Sequence, residues 1–185
     1  MRPKKGLIVA LDVPTAKDAR RLARALAGTT GLFKIGSELF TAEGPKVVEE
    51  VAAEGGSVFL DLKFHDIPNT VAAAVREAAK LGTFMINVHA LGGLRMLEEA
   101  RKAIEKSRTR PYLIAVTVLT SMKEEDLHAI GIPKKPNEAW AELRQAHHFV
   151  CRVCEPRPSA LVRPGASHDA GTVGGIVERF QYERR

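Results

Sequence analysis

Cysteine and aromatic residues are scarce in this chain. Its 185 residues include two cysteines, and aromatic residues make up 5%. The two cysteines form a lone Cys-x-x-Cys, and no thioredoxin-like strand-turn-helix follows it, so we do not expect redox chemistry. The shortage of aromatic side chains leaves no evident platform for stacking single-stranded bases, and the basic residues behind the net charge of +6 are scattered. We therefore expect no nucleic-acid partner.

Long apolar runs are also missing. No stretch approaches the ~18 apolar residues that a membrane-spanning helix needs. Residues 1–6 form a basic start with three Lys and Arg residues, and a strand-like run that soon carries Asp12 follows them. This pattern is unlike the apolar core and cleavage site of a signal peptide. We therefore expect a cytoplasmic protein with no membrane partner. The length suits one domain with a substantial core.

Strand-like and helix-like segments alternate along the chain. Five apolar runs predict strands, at residues 6–11, 32–36, 57–60, 83–89 and 112–119. Helical periodicity follows the first four runs, which predicts right-handed crossovers and a parallel sheet. Because no glycine-rich phosphate-binding turn follows the first strand, an α/β fold of the (β/α)8 TIM-barrel type is favoured over an open doubly wound sheet.

Polar or charged residues stand near the ends of the predicted strands. They are Asp12, Lys34, Asp61 with Lys63, His89 and Thr120. Active groups in a barrel gather at the carboxyl ends of its strands, so these residues form a ring of candidates.

Most members of this ring also have a purely structural interpretation. Asp12 could cap the first helix, His89 could be a satisfied core histidine, and Thr120 could bond a local backbone group. Lys34 is harder to explain in this way, because lysine rarely sits in a buried strand without a partner.

Charge is densest in residues 61–70, where a buried strand passes into a helix that begins near Pro68. Alternation along the strand predicts that Asp61 and Lys63 face the same way, and Asp66 falls in the loop. An isolated buried charge would be neutralised, so this set of charges indicates mutual compensation around a site. A structural ion pair at the strand end remains an equal alternative.

Several stretches together resemble the orotidine 5′-phosphate decarboxylase family. They are Ala10-Leu11-Asp12, Phe33-Lys34-Ile35-Gly36, residues 61–70, Val88-His89-Ala90 and residues 116–121, in order within about residues 6–145. An Asp-x-Lys-x-x-Asp pattern alone would also fit sugar-phosphate decarboxylases and aldolases of the same superfamily. The full stretch 61–70 points to the pyrimidine enzyme.

The resemblance implies a carboxy-lyase of pyrimidine biosynthesis that converts orotidine 5′-phosphate to UMP and carbon dioxide without a metal or organic cofactor. Lys63 resembles the general acid that protonates C6 of the pyrimidine. Asp61 resembles the carboxylate set near the carboxylate of the substrate. Asp12 and Lys34 resemble the groups that hold the ribose hydroxyls and complete the Lys/Asp network, and Thr120 the group that contacts the pyrimidine.

The same resemblance implies a homodimer. Asp66 resembles the carboxylate that each subunit lends to the site of its partner. Ile67 and Thr70 resemble the interface residues that contact the partner's ligand.

Both the resemblance and the regular periodicity fade after about residue 145. We expect residues 1–145 to form barrel units one to five with the start of the sixth, and residues 146–185 to be an atypical segment, not a separate domain. The family's phosphate motif resembles Thr-Pro-Gly-Ile-Arg-Pro. Its nearest counterpart, residues 162–167, lacks the arginine after Pro-Gly, and Arg163 is a weak candidate. An inactive truncated or frameshifted remnant of the enzyme is therefore an alternative.

Two metal-binding alternatives are also open, although we expect no metal site. A sugar-phosphate decarboxylase using magnesium would need a further acidic ligand at a strand end, and Glu38 and the Asp61/Asp66 pair leave that alternative open. Cys151 and Cys154 follow two histidines, but the second ligand pair of a zinc finger is missing.

Overall fold

The computed structural model of the chain describes residues 7–147, 152–153 and 177–179. The strands of this part are β1 (Leu7–Ala10), β2 (Leu32–Gly36), β3 (Ser57–Phe64), β4 (Met85–His89), β5 (Tyr112–Val116), β6 (Arg152–Val153) and β7 (Val177–Arg179). The helices are α1 (Ala16–Leu26), α2 (Ser37–Glu43), α3 (Lys46–Ala53), α4 (Pro68–Lys80), α5 (Gly93–Glu105), α6 (Glu124–Ala129) and α7 (Pro136–His147).

The start of α1 shows how local sequence sets these boundaries. The side chain of Thr15 accepts a hydrogen bond from the backbone N–H of Asp18 at 3.2 Å, and Asp18 adds an acidic group to the first turn. Both features stabilise a helix N-terminus. Thr15 is thus the capping residue, and the alternative in which Asp12 caps this helix is wrong.

The chain divides into two compact units, and β3 passes from the first into the second between Asp61 and Leu62. In the first unit β1, β2 and β3 lie side by side as parallel strands, and β7 pairs with β1 in the antiparallel direction. Helix α1 packs against α3, and Arg24 of α1 donates two hydrogen bonds to the carboxylate of Glu54 at 2.8 and 2.9 Å.

In the second unit β3, β4, β5 and β6 follow one another in the sheet, with β4, β5 and β6 parallel. Helices α4 and α5 pack together, and their buried side chains include Val71, Val75, Met96 and Leu97. The apolar spacing of both helices predicts this face, because residues three and four apart lie on one side of a helix.

Several predicted elements differ in length from the observed ones. The third strand continues through Asp61 to Phe64, whereas the fifth ends at Val116 and not at Leu119. Helices α2, α6 and α7 are additions to the predicted pattern. Within the described residues, no helix is long and apolar enough to cross a membrane.

Candidate active site

Lys34 is held between two carboxylates in the first unit. Its Nζ lies 3.4 Å from Oδ1 of Asp12 and 3.4 Å from Oδ2 of Asp61. The Lys34 and Asp61 side chains are nearly buried, at 11% and 12% exposed, whereas that of Asp12 is 40% exposed. Lys34 therefore has the partners that a nearly buried ammonium requires.

Strand register explains why these three side chains meet. Ala10 pairs with Lys34 between β1 and β2, and Gly36 pairs with Asp61 between β2 and β3. Side chains two residues apart share a face, so Asp12, Lys34 and Asp61 all project from one face of the parallel strands.

Gly36 lies beside this cluster. A Cβ atom built at Gly36 would lie 3.7 Å from Nζ of Lys34 and 3.8 Å from Oδ1 of Asp12. These are ordinary van der Waals distances, so a small side chain at this position would touch the cluster without displacing it.

Lys63 has an unusual backbone conformation in the second unit. Its φ of 51° lies in the left-handed region, which costs a residue other than glycine about 1–2 kcal/mol. The backbone N–H of Lys63 donates a 2.7 Å hydrogen bond to Oδ1 of Asn87, a residue of β4 that is 1% exposed. Side chains alternate strictly only along an extended backbone, so alternation does not predict the direction of the Lys63 side chain.

His65 and His89 stack on each other, with ring centroids 5.3 Å apart and ring planes 24° from parallel. Nδ1 of His89 is buried and has no hydrogen-bond partner among the described residues. Burial lowers the pKa of His89, and the nearby His65 and Lys63 lower that pKa further. The interpretation of His89 as a satisfied core histidine is therefore wrong.

The loop between β3 and α4 carries the predicted interface residues. Asp66 is exposed, and its Oδ1 accepts a 2.6 Å hydrogen bond from the backbone N–H of Ile67. Ile67 is 66% exposed, a high value for a large apolar side chain, and Thr70 is exposed in the first turn of α4.

Thr120, the candidate at the end of the fifth strand, is also exposed. It lies in a turn four residues beyond the end of β5.

Sequence reasoning missed Asn87 as a functional candidate. The available signal was a polar side chain inside the otherwise apolar run of β4, two residues before His89. The predictions on Cys151, Cys154, Arg163 and residues 162–167 lie outside the described residues. Glu38 lies in the first turn of α2, and no three His, Cys, Asp or Glu side chains of the described part converge as metal ligands.

The sequence of this chain matches a known protein family. Residues 5–179 match the model of the orotidine 5′-phosphate decarboxylase / HUMPS family. The chain is 55% identical to orotidine 5′-phosphate decarboxylase of Saccharophagus degradans over 159 residues, which are 83% of this chain and 67% of that one. It is 47% identical to that of Alcanivorax borkumensis over 173 residues, which are 91% of this chain and 75% of that one.

A solved structure agrees with these matches. Orotidine 5′-phosphate decarboxylase of Lactobacillus acidophilus superposes with a TM-score of 0.67 at 32% identity, covering 80% of this chain and 68% of that one. The fold defines an α/β protein of the barrel type, as predicted. The chain belongs to the orotidine 5′-phosphate decarboxylase / HUMPS family. The family match continues past residue 145, and the relatives' names favour neither an inactive remnant nor a sugar-phosphate decarboxylase.

Proposed function

We propose that this protein decarboxylates orotidine 5′-phosphate to UMP and carbon dioxide, a step of pyrimidine biosynthesis. The observation that carries this proposal is the cluster of Lys34 with Asp12 and Asp61, formed in a chain that matches the family along most of its length. An anionic nucleotide does not cross an apolar bilayer unaided, which supports a cytoplasmic reaction.

Lys63 is assigned the chemical step. Loss of carbon dioxide leaves a carbanion at C6 of the pyrimidine, which has little resonance stabilisation. A fixed ammonium stabilises that developing charge and then supplies the proton. Asp61 is assigned a place near the carboxylate of the substrate, where its charge disfavours the ground state relative to a transition state that is losing the same charge.

Asp12 and Lys34 are assigned to the ribose hydroxyls. A carboxylate accepts hydrogen bonds from hydroxyl groups, and an ammonium donates them. The partial exposure of Asp12 supports this role, since a ligand can reach its oxygens, while the nearly buried Lys34 keeps the cluster in place. Thr120 is assigned to the pyrimidine, supported by its exposed position after β5.

The enzyme is proposed to act as a homodimer in which Asp66, Ile67 and Thr70 reach the partner's site. The exposed Ile67 supports this arrangement, because burying an apolar side chain at an interface is favourable. Mixing Lys63→Ala and Asp66→Ala proteins tests it. If each site uses Lys63 from one subunit and Asp66 from the other, random reassociation restores about a quarter of the active sites. No recovery in verified mixed dimers would overturn the sharing.

The reaction itself is tested with purified protein. Incubation with orotidine 5′-phosphate should deplete the substrate absorbance and yield UMP and carbon dioxide in equal amounts. A chelator should leave the rate unchanged, because no metal takes part. A folded protein that yields no UMP would contradict the proposal, and chelator-sensitive turnover of a sugar phosphate would favour the alternative activity.

A further inference from the structure

Among the described residues, two other than glycine have a positive φ, Lys63 at 51° and Arg110 at 44°. Arg110 is an exposed loop residue, whereas Lys63 lies within β3. Such a conformation persists only where the surroundings impose it. One contact that can impose it on Lys63 is the short hydrogen bond from its backbone N–H to Asn87.

We propose that Asn87 is a positioning residue that fixes the backbone of Lys63 and thereby the direction in which the lysine side chain leaves the chain. Its importance for turnover rests on the proposed function, in which Lys63 protonates the substrate. Asn87 itself touches the peptide group of Lys63 and is not assigned to any reacting atom.

The surroundings of Asn87 suit this role. Its neighbours in β4, Ile86 and Val88, are completely buried, and parallel β5 runs alongside with Ile114 opposite Asn87. Because close packing restricts movement of the strand, the amide oxygen of Asn87 is a fixed acceptor. Without the Asn87 amide oxygen, the Lys63 N–H loses this hydrogen bond, and the backbone can relax towards the extended conformation that lysine prefers.

Two substitutions of similar size test the proposal. Asn87→Leu removes the acceptor, and Asn87→Asp keeps it. Misplacing a catalytic group by about 1 Å can cost ~100-fold, so we expect kcat of the leucine variant to fall by about that factor, with KM changed by less than about threefold. The aspartate variant should retain kcat within about tenfold of wild type, since its carboxylate can accept the same hydrogen bond. If the leucine variant does not fold, Asn87→Ala takes its place.

Hydrogen exchange of the Lys63 amide provides a readout that does not depend on turnover. Its protection should be lost in the leucine variant and kept in the aspartate variant. Thr30→Val is the control, because it removes hydrogen bonds of another buried polar side chain. Thr30 Oγ1 donates to Leu7 O at 2.8 Å and accepts from the Leu32 N–H at 3.3 Å, so this variant should lower the Tm without changing kcat.

The outcomes separate the two proposals. Wild-type protein that does not decarboxylate orotidine 5′-phosphate overturns the proposed function, while the Lys63 amide still reports on the hydrogen bond. An equally protected Lys63 amide in the leucine variant overturns the inference. A loss of kcat no greater than that of Thr30→Val does so as well.

Discussion

Two lysines near strand ends of this protein are held in different ways. Lys34 is fixed through its side chain, which lies between the carboxylates of Asp12 and Asp61. Lys63 is fixed through its backbone, whose N–H is bound by Asn87 in a left-handed conformation. The first arrangement neutralises a charge in place, and the second sets the direction of a side chain.

The two lysines are therefore expected to contribute differently, Lys34 to the stability of the fold and Lys63 to the proposed reaction. Removing Lys34 takes one opposite charge away from the nearly buried Asp61 carboxylate, which destabilises the fold. Lys63 is held through its backbone N–H, a contact that does not use its ammonium. The proposed roles follow the same division, with Lys34 holding the network and Lys63 transferring the proton.

The largest effect on stability is expected when the Lys34 ammonium is removed. Lys34→Met should lower the free energy of unfolding by about 2–3 kcal/mol, less than for a fully buried pair because Asp12 is partly exposed. Lys63→Met, which removes the same charge from the other lysine, should cost less. Urea denaturation of both variants measures the contrast, and equal losses would break the comparison.

The packing beneath the Lys34 cluster gives the next prediction. A Cβ at Gly56 would lie 2.4 Å from Cδ2 of the buried Phe33 ring, next to Lys34 in β2. Gly56→Ala should therefore destabilise the protein by about 1–3 kcal/mol. Gly28→Ala is the matched control, since a Cβ there meets nothing within 4 Å. Equal melting temperatures for the two variants would contradict the close packing.

The two carboxylates around Lys34 should differ from each other. Asp61→Asn should cost more stability than Asp12→Asn, for which we expect about 1 kcal/mol or less, because the Asp12 side chain is 40% exposed and solvent screens its charge. Chemical denaturation of both variants at one pH tests this order. A larger loss from Asp12→Asn would reverse the assignment of Asp61 as the buried partner.

The smallest expected effect is a pH dependence from His89. Its pKa in the folded protein is lowered, mainly by burial, from an ordinary value of 6.5. The unfolded chain therefore binds the proton more readily, and stability is lost as the pH falls from about 6.5 towards the lower folded pKa. His89→Phe should lose less stability than wild type between about pH 7.5 and 5.5 in thermal unfolding. An identical loss in both proteins would rule out His89 as the source.

Much of the fold could be predicted from local patterns. The Thr15 cap, the start of α4 at Pro68 and the helical spacing of Val71 and Val75 each depend on nearby residues alone. Helix α2 was missed because its seven residues follow β2 directly and bury only Leu39. So short a segment has too few apolar positions to establish a helical period.

The candidate site was predicted in its residue types but not in its contacts. That Lys34 needs a partner follows from burial, and register in the folded sheet then selects Asp12 and Asp61. The Lys63 conformation, its bond to Asn87 and the His65–His89 stack depend on tertiary packing. Periodicity carries no information on a single left-handed residue within a strand.

The most direct test of the account is the turnover of Lys63→Ala with orotidine 5′-phosphate. Lys80→Ala is the matched control, since Lys80 is an exposed lysine of α4 paired with Glu77. The account predicts that Lys63→Ala forms no measurable UMP while unfolding much like wild type, and that Lys80→Ala retains full activity. Decarboxylation by folded Lys63→Ala at a near-normal rate would contradict it.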